Sequence, residues 1–505
     1  MSKSLGSIPL FKIKVEEKGQ IKDIKEIIVR IDGLPSCLNG QIIDMGDGVK
    51  GIIMGYDEDD VLALVLGDPG KLKMGKEIKG ISEPFEISVS NSLVGRMIGA
   101  MGEPYDQGGE IESEHHVPVF KDSPPITLRS PIDSFIPTGT KIIDMLIPVA
   151  KGQRQLILGD RMTGKTVIGL DAILSQKGQN VLCIYCAIGK SLANLTKAIS
   201  ILREHDALDY TTLIVATDNS PVGEQYIVPY SAAAVAEFYA AQDRDVLMVI
   251  DDLTKHAWAY RQLSLLLERP PGREAYPGDI FYVQTQLMER AGKFSEDHGG
   301  GSITFLGIAE TLQGDLTGYI PSNLASMCDG QICLSSNIFA EGIRPAVDAN
   351  VSLTIVGGKV QPPVLKHLAR TLRADYAKYN EVLKLSKLSS GLSGEAERIV
   401  KKGAAIQSVF QQLEYNPVTL QEDVILLYAV EKGLLVDMEE GDRIRFCKEI
   451  FSYAKQNHAD LVESIDVHTE LTDELSDALA ALMTDYFGQF DAGAGGAEEP
   501  SSEEQ

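Results

Sequence analysis

Between residues 20 and 90, short apolar runs alternate with turn signals: EIIVRIDGL, GQIIDMGDGVKGIIMGY, DVLALVLGDPG and EPFEISVS. Strands of this length, punctuated by Gly, Asp and Pro, predict a small N-terminal antiparallel β-barrel. Asp47-Gly48 is the dipeptide expected at a tight turn between two of its strands. Residues 91 to 135 are rich in Gly and Pro and read as a connection. From about 140 to 360 the pattern changes. QLILG, NVLCIYCAI, TTLIVAT, DVLMVIDD and SITFLGIAE are nearly unbroken apolar runs, separated by stretches of helical spacing. A strand without polar alternation must be covered on both faces, so these runs predict a mostly parallel sheet between helical layers. Beyond 365 the period becomes helical in AKYNEVLKLSKL, EAERIVKKGAAIQSVFQQL, QEDVILLYAVEKGLL and TDELSDALAALMTDYFGQF. The expected division is a barrel over 1–92, an α/β domain over 93–365 and a helical bundle over 366–490. A Gly-rich, then acidic tail over 491–505 is expected to be disordered.

Composition narrows this little. At 505 residues, 44% hydrophobic and 24% charged, the chain is ordinary globular material of about three domains. A net charge of −25 argues against a nucleic-acid surface, which needs a positive field. It does not exclude a bound nucleotide, whose phosphates respond to a local site. Six cysteines make no disulfide framework, and Cys183 and Cys186, spaced C-x-x-C, fall within a run that reads as a buried strand. The opening MSKSLGSIPLFKIKVEE is too short and mixed for a signal peptide, and no apolar run reaches the length of a membrane span. The chain is therefore expected on the cytoplasmic side, meeting a membrane complex only through partners.

Chemistry enters at QLILGDRMTGKTVIGLDAIL, which contains G-x-x-x-x-G-K-T from Gly159 to Thr166 between a strand and a helix. Glycines let the backbone wrap phosphates, and the helix N-terminus favours their charge. Lys165 is placed to reach the β- and γ-phosphates, and the Thr166 hydroxyl to help hold Mg²⁺. Asp251, closing the strand DVLMVIDD, is the candidate to hold that ion through its water shell. Asp252 stands beside it, and the plainer reading of a strand that ends in Asp is a helix cap.

The chain resembles the alpha-subunit family of F-type ATP synthases over nearly its whole length. The resemblance is carried by DGVKGIIMG, TGTKIIDMLIPVAKGQRQLILGDRMTGKT, VIDDLTKHAWAYRQLSLLLERPPGREAYPGDIFY, GYIPSNLASMCDGQIC, EGIRPAVD and the run from Gln412, QLEYNPVTLQE. It implies a multidomain fold of barrel, P-loop (RecA-like) domain and helical bundle. It also implies three such chains alternating with three beta subunits around a gamma-type central stalk, with a delta-type peripheral stalk and a membrane sector moving protons or sodium. The family's alpha site binds ATP or ADP without turning it over. Carried onto this chain, Gly159, Asp160, Arg161, Met162, Thr163, Gly164, Lys165 and Thr166 line the phosphates. Gln412 takes the place of a glutamine near the adenine, and Arg344 lies in a segment near the nucleotide. Glu414 replaces a second adenine-side glutamine. PPGREAYPGD, in the densely matched stretch 251 to 294 with Arg261, Arg269, Arg273 and Arg290, reads as an inter-subunit or stalk-facing surface, or as a plain stiffened turn.

Three departures qualify the resemblance. After the second strand, where catalytic beta chains carry glutamate and alpha chains glutamine, this chain reads AIGKSLANL and places Lys190. An ammonium is no general base. Lys190 reads either as a solvated strand-end lysine or as an added counter-charge to phosphates. Alpha chains also lend an arginine to the neighbouring beta site, but the aligned SLTIVGG has Ile355 there, with Lys359 four residues on. Finally, Gly6 and Pro9 interrupt the region where alpha chains carry a stalk-docking helix, so stalk attachment is expected to differ. Two readings stay open: a working rotary ATPase in which another group replaces the arginine, or a paralogue whose ring turns over slowly. A ring helicase fits less well, because the first 90 residues lack an aromatic cluster on a basic stripe, Tyr56 being isolated. A secretion ATPase would keep the glutamate.

Overall fold

A computed structural model describes residues 16–57, 60–113, 115–386 and 394–494. The segment holding Gly6 and Pro9 lies outside the described residues, as does the tail expected over 491–505 apart from 491–494, which continue the helix Asp473–Ala494 rather than opening a disordered stretch.

The barrel closes in the order Glu16–Lys25, Ile28–Gly33, Val61–Leu66, Val49–Tyr56, Gln41–Gly46 and Glu77–Pro84, with every neighbouring pair antiparallel. Alternate residues point inward, as pleating requires: Val29 with Ile31, Ile43 with Met45, Ala63 with Val65. Asp47 and Gly48 both take positive φ at the hairpin tip, the geometry that matches the strand twist. The sequence pattern misses the two strands that zip the barrel shut. Glu16–Lys25 is EEKGQIKDIK, with Ile21 alone among its residues in the fully buried core, and Glu77–Pro84 contributes only Ile78. The run EPFEISVS departs differently. Its Glu86–Val89 leaves the barrel and pairs with His115–Pro118.

Five apolar runs become the centre of a nine-stranded sheet. Its main path runs Leu353–Thr354, Gly330–Cys333, Arg154–Gly159, Ser302–Glu310, Asp245–Asp251, Val181–Lys190, Thr211–Thr217 and Met97–Gly99. Pairing along it is parallel, except at the edge strand Leu353–Thr354. Cys183 and Cys186, three apart on one strand, fall in cores on opposite faces, and burial pushes both thiols up. All six cysteines are buried and free. One face of the sheet continues directly into the C-terminal helices, so that Ile157, Val364, Ile406, Val424, Phe446 and Leu479 share a single core. A helix over Glu440–Asn457 was not legible beforehand, because its buried Phe446, Cys447, Ile450 and Ala454 are outnumbered by charges. Among the described residues no helix is long and apolar enough to cross a membrane.

Behind the sheet sits His256, 0% exposed and stacked on the Tyr226 ring at 5.5 Å. Its Nε2 lies 3.2 Å from the Tyr226 carbonyl, and Nδ1 has no partner. Burial pushes its pKa down to about 4, so the folded chain holds a neutral ring where the unfolded chain takes up a proton. Stability from this residue is complete above pH 6.5 and is lost as pH falls towards 4. The expected loss is about 3 kcal/mol. Denaturant titrations of wild type and His256→Phe at pH 7 and 4.5 check this, the variant being the less acid-sensitive.

Candidate phosphate-binding site

The strand Arg154–Gly159 delivers the loop, and the helix Lys165–Leu174 begins immediately after it. Gly164 takes φ +99°, which a side chain rarely adopts. A Cβ on Gly159 would stand 2.8 Å from Thr163 Oγ1 and 2.9 Å from Leu334 Cβ, so the strand's end must be glycine for the loop to turn. Within the loop, Thr163 Oγ1 donates to the Asp160 carbonyl at 2.8 Å, while Met162 projects into solvent. Lys165 folds back and donates to the carbonyls of Gly159 at 2.8 Å and Asp160 at 2.6 Å. Burial pulls its pKa below the usual lysine value.

The Asp160 carboxylate turns outward from the cradle. It accepts from Ser336 Oγ at 2.6 Å, Thr311 Oγ1 at 2.7 Å and Gly314 N–H at 2.8 Å. Burial opposes its charge, but these donors outweigh burial and hold its pKa below the ordinary range. Asp160 thus ties the loop to two neighbouring segments. Arg161 is largely exposed, its Nε 3.7 Å from Glu310.

Across the cleft, Thr166 Oγ1 donates to Asp251 Oδ2 at 2.7 Å, joining residues 85 apart in sequence. Tyr185 donates to the same oxygen at 3.0 Å. Asp251 Oδ1 faces the Lys190 ammonium at 2.6 Å, and Lys190 Nζ is also 3.4 Å from Thr166 Oγ1. Lys190 is 19% exposed in its side chain, so it is not a solvated strand-end lysine. Burial works against its charge, yet Asp251, Asp252 and Glu310 together hold its pKa above the usual value. Asp252 accepts from the Lys255 N–H at 2.8 Å and caps the helix Leu253–Leu266. Burial and the neighbouring Asp251 raise its pKa to about 6. The cleft has a volume of about 460 Å³ and is lined by Arg161, Lys165, Thr166, Lys190, Glu310 and Tyr415.

A second hollow opens on the other side of the loop, where Gln412, Arg344, Asp171 and Glu414 meet Thr163 and Gly164. The Gln412 amide is already engaged: Nε2 donates to Gly139 O at 2.6 Å and Asn416 O at 2.9 Å, and Oε1 accepts from Lys141 N–H at 3.0 Å. Arg344 lies over the Phe339 ring at 3.9 Å. Asp171 has an unpartnered buried oxygen, and burial, assisted by Glu414, pushes its pKa up to about 8. Ile355 stands apart, at the end of the edge strand, its side chain exposed and its N–H held by the Asp329 carbonyl at 2.9 Å.

Tyr185, Glu310 and Asp171 join the site without a motif to mark them. Tyr185 sits inside an apolar strand and Asp171 inside a helix, where nothing local marks them; Glu310, polar at the end of an apolar run, was the one available signal.

For a magnesium ion the oxygens present are of the right kind, a hydroxyl and a carboxylate converging beside the loop. Their point of convergence, however, is filled by the Lys190 ammonium. The arrangement fits a divalent ion only if that side chain withdraws.

Comparison with protein families gives two matches. Residues 139–354 match the ATP synthase alpha/beta family, nucleotide-binding domain, and residues 361–486 match the ATP synthase alpha/beta chain, C terminal domain. Among curated proteins, ATP synthase subunit alpha of Clostridium botulinum strain Alaska E43 is 39% identical over 476 residues, covering 94% of each chain. The Clostridium acetobutylicum subunit alpha is 39% identical over 475 residues, again 94% of each. That of Caldanaerobacter subterraneus is 38% identical over 476 residues, also 94% of each.

Proposed function

Because this chain belongs to the ATP synthase alpha-subunit family, we propose that Gly159–Thr166 holds the phosphates of ATP or ADP in a site that does not turn over. The chain is an alpha-type, nucleotide-binding subunit of a rotary ATP synthase. The observation that carries the non-catalytic assignment is the ion pair of Lys190 with Asp251 at 2.6 Å. A cation locked against the acidic strand end cannot take a proton from water, and no carboxylate replaces it at that strand position.

In this reading, loop N–H groups and Lys165 bind the β- and γ-phosphates, Arg161 closes over them, and the base enters the hollow between Arg344 and Gln412. Thr166 and Asp251 are the residues of the kind that would hold Mg²⁺, and the Lys190 ammonium, 2.6 Å from Asp251, stands where that ion would sit. The boundaries 1–92, 93–365 and 366–490 are supported by the barrel's last strand at Pro84 and by family matches that meet between 354 and 361. Family membership supports a ring alternating with beta-type subunits around a gamma-type stalk, peripheral on the cytoplasmic face of the membrane, with no role for nucleic acid. Exposed Ile355, where the family lends an arginine, favours a second reading beside this one: a ring that turns over slowly.

Lys165→Ala tests the site itself. Removing a charge-assisted contact to phosphate should weaken ATP binding by the purified chain about 100-fold. Equilibrium dialysis reads this, and an unchanged dissociation constant would sink the assignment.

A further inference from the structure

The ion pair at the strand's end has a structural cause. Along Val181–Lys190, Cys183, Tyr185 and Ala187 face the core beneath the phosphate loop. Regular alternation would put residue 189 on that face next. Pairing with Thr211–Thr217 instead slips between Ile188 and Lys190, and Gly189 takes φ +59°. Inserting one residue re-aims the side chain that follows. Lys190 thereby joins Tyr185 on the face that meets Asp251, and its ammonium arrives where the Thr166 and Asp251 oxygens converge.

We propose that Lys190 is a tethered cation occupying the magnesium position, so that this site binds nucleotide triphosphate with little need for a divalent ion. The inference rests on the nucleotide reading of the loop. The Thr166 hydroxyl donates a hydrogen bond to Asp251 Oδ2 at 2.7 Å, and its oxygen faces the Lys190 ammonium at 3.4 Å. An ammonium has three donors. One points at Asp251, one at Thr166, and the third is set to meet a phosphate oxygen beside Lys165. A magnesium ion demands near-octahedral oxygen ligands at short range and repels a cation held at the same carboxylate. Lysine at 190 therefore supplies the charge that the metal would bring, without the metal's exchange. The ion pair with Asp251 at 2.6 Å holds the ammonium in place, with Asp252 and Glu310 adding to the attraction.

The test is ATP binding to the purified full chain, with Mg²⁺ and with excess EDTA. Wild type should bind ATP in both media with dissociation constants within about 3-fold, since the side chain supplies the counter-charge itself. Lys190→Gln should make binding metal-dependent, weakening it by about 10-fold or more in EDTA. A direct readout uses Mn²⁺ followed by electron paramagnetic resonance in the presence of ATP. The wild-type site should leave Mn²⁺ in solution, and Lys190→Gln should bind it. Wild-type ATP binding that collapses in EDTA, or Mn²⁺ bound by wild type at stoichiometry with ATP, overturns the tethered-cation inference alone. No ATP bound by either protein in any medium overturns the nucleotide reading and this inference with it.

Discussion

A ring assembled with Ile355→Arg should hydrolyse ATP about 100-fold faster than the wild-type ring, since an arginine offered in trans to the transferring phosphoryl is worth 10³ or more where the site is shaped for it. The host position accepts the change. Ile355 is 67% exposed, so no core contact is lost, and its backbone stays fixed by the Asp329 carbonyl. The Asp329 carboxylate would not capture the new guanidinium, because Arg154 already holds both of its oxygens, at 3.0 Å and 3.2 Å. Steady-state turnover of the two rings, matched for assembly, gives the answer. Equal rates would mean that the transition state is already served by another cation. Two candidates are exposed Lys359, four residues on, and Arg373, whose guanidinium donates to the carbonyls of Ala349 and Ser352 just before the strand.

Arg290→Met should destabilise the folded chain by about 3–5 kcal/mol, the range for removing one partner of a buried ion pair. Arg290 is 1% exposed and donates from Nε to Glu237 at 2.8 Å. Its Nη1 donates to the Val119 carbonyl at 2.8 Å and the Tyr230 carbonyl at 3.4 Å. Methionine fills part of the volume but leaves Glu237 with only Lys121, at 3.5 Å, and strips the Val119 carbonyl of its Arg290 donor. The denaturant midpoint reads the loss. Adding Glu237→Gln should recover part of it, because a neutral amide tolerates burial that an unpaired carboxylate does not. A loss below about 1 kcal/mol would mean that the pair is not holding helix Val222–Ala240 against the segment after Met288.

Arg290 also marks where sequence reading stops. It shares a densely matched segment with Arg261, Arg269 and Arg273, yet Arg273 is exposed, Arg269 donates to the Met54 carbonyl of the barrel at 3.0 Å, and Arg290 is core. Residue type did not separate them; depth did. The parallel strands were legible because full burial writes an unbroken apolar run, and QLILG, TTLIVAT and SITFLGIAE each became the strand they read as. The closing barrel strands were hidden for the converse reason. A strand that contributes one or two inward residues and otherwise faces water resembles a polar loop.

The site divides the same way. Gly159 to Thr166 is local, so its strand, turn and helix could be read directly. The meeting of Thr166 with Asp251 depends on strand order, with Ser302–Glu310 lying between their two strands, and only the long paired motif hinted at it. Lys190 was visible as a misplaced charge. Its partner was not, because the bulge at Gly189 is a property of pairing register rather than of the residues on either side.

This chain holds ATP without cleaving it. Single-turnover incubation of the purified full chain, in excess over γ-labelled ATP, tests it directly. The bound nucleotide should be recovered as intact ATP. Release of labelled phosphate by the chain alone at about 1 s⁻¹ or faster, within the range of ordinary enzymes, would contradict it.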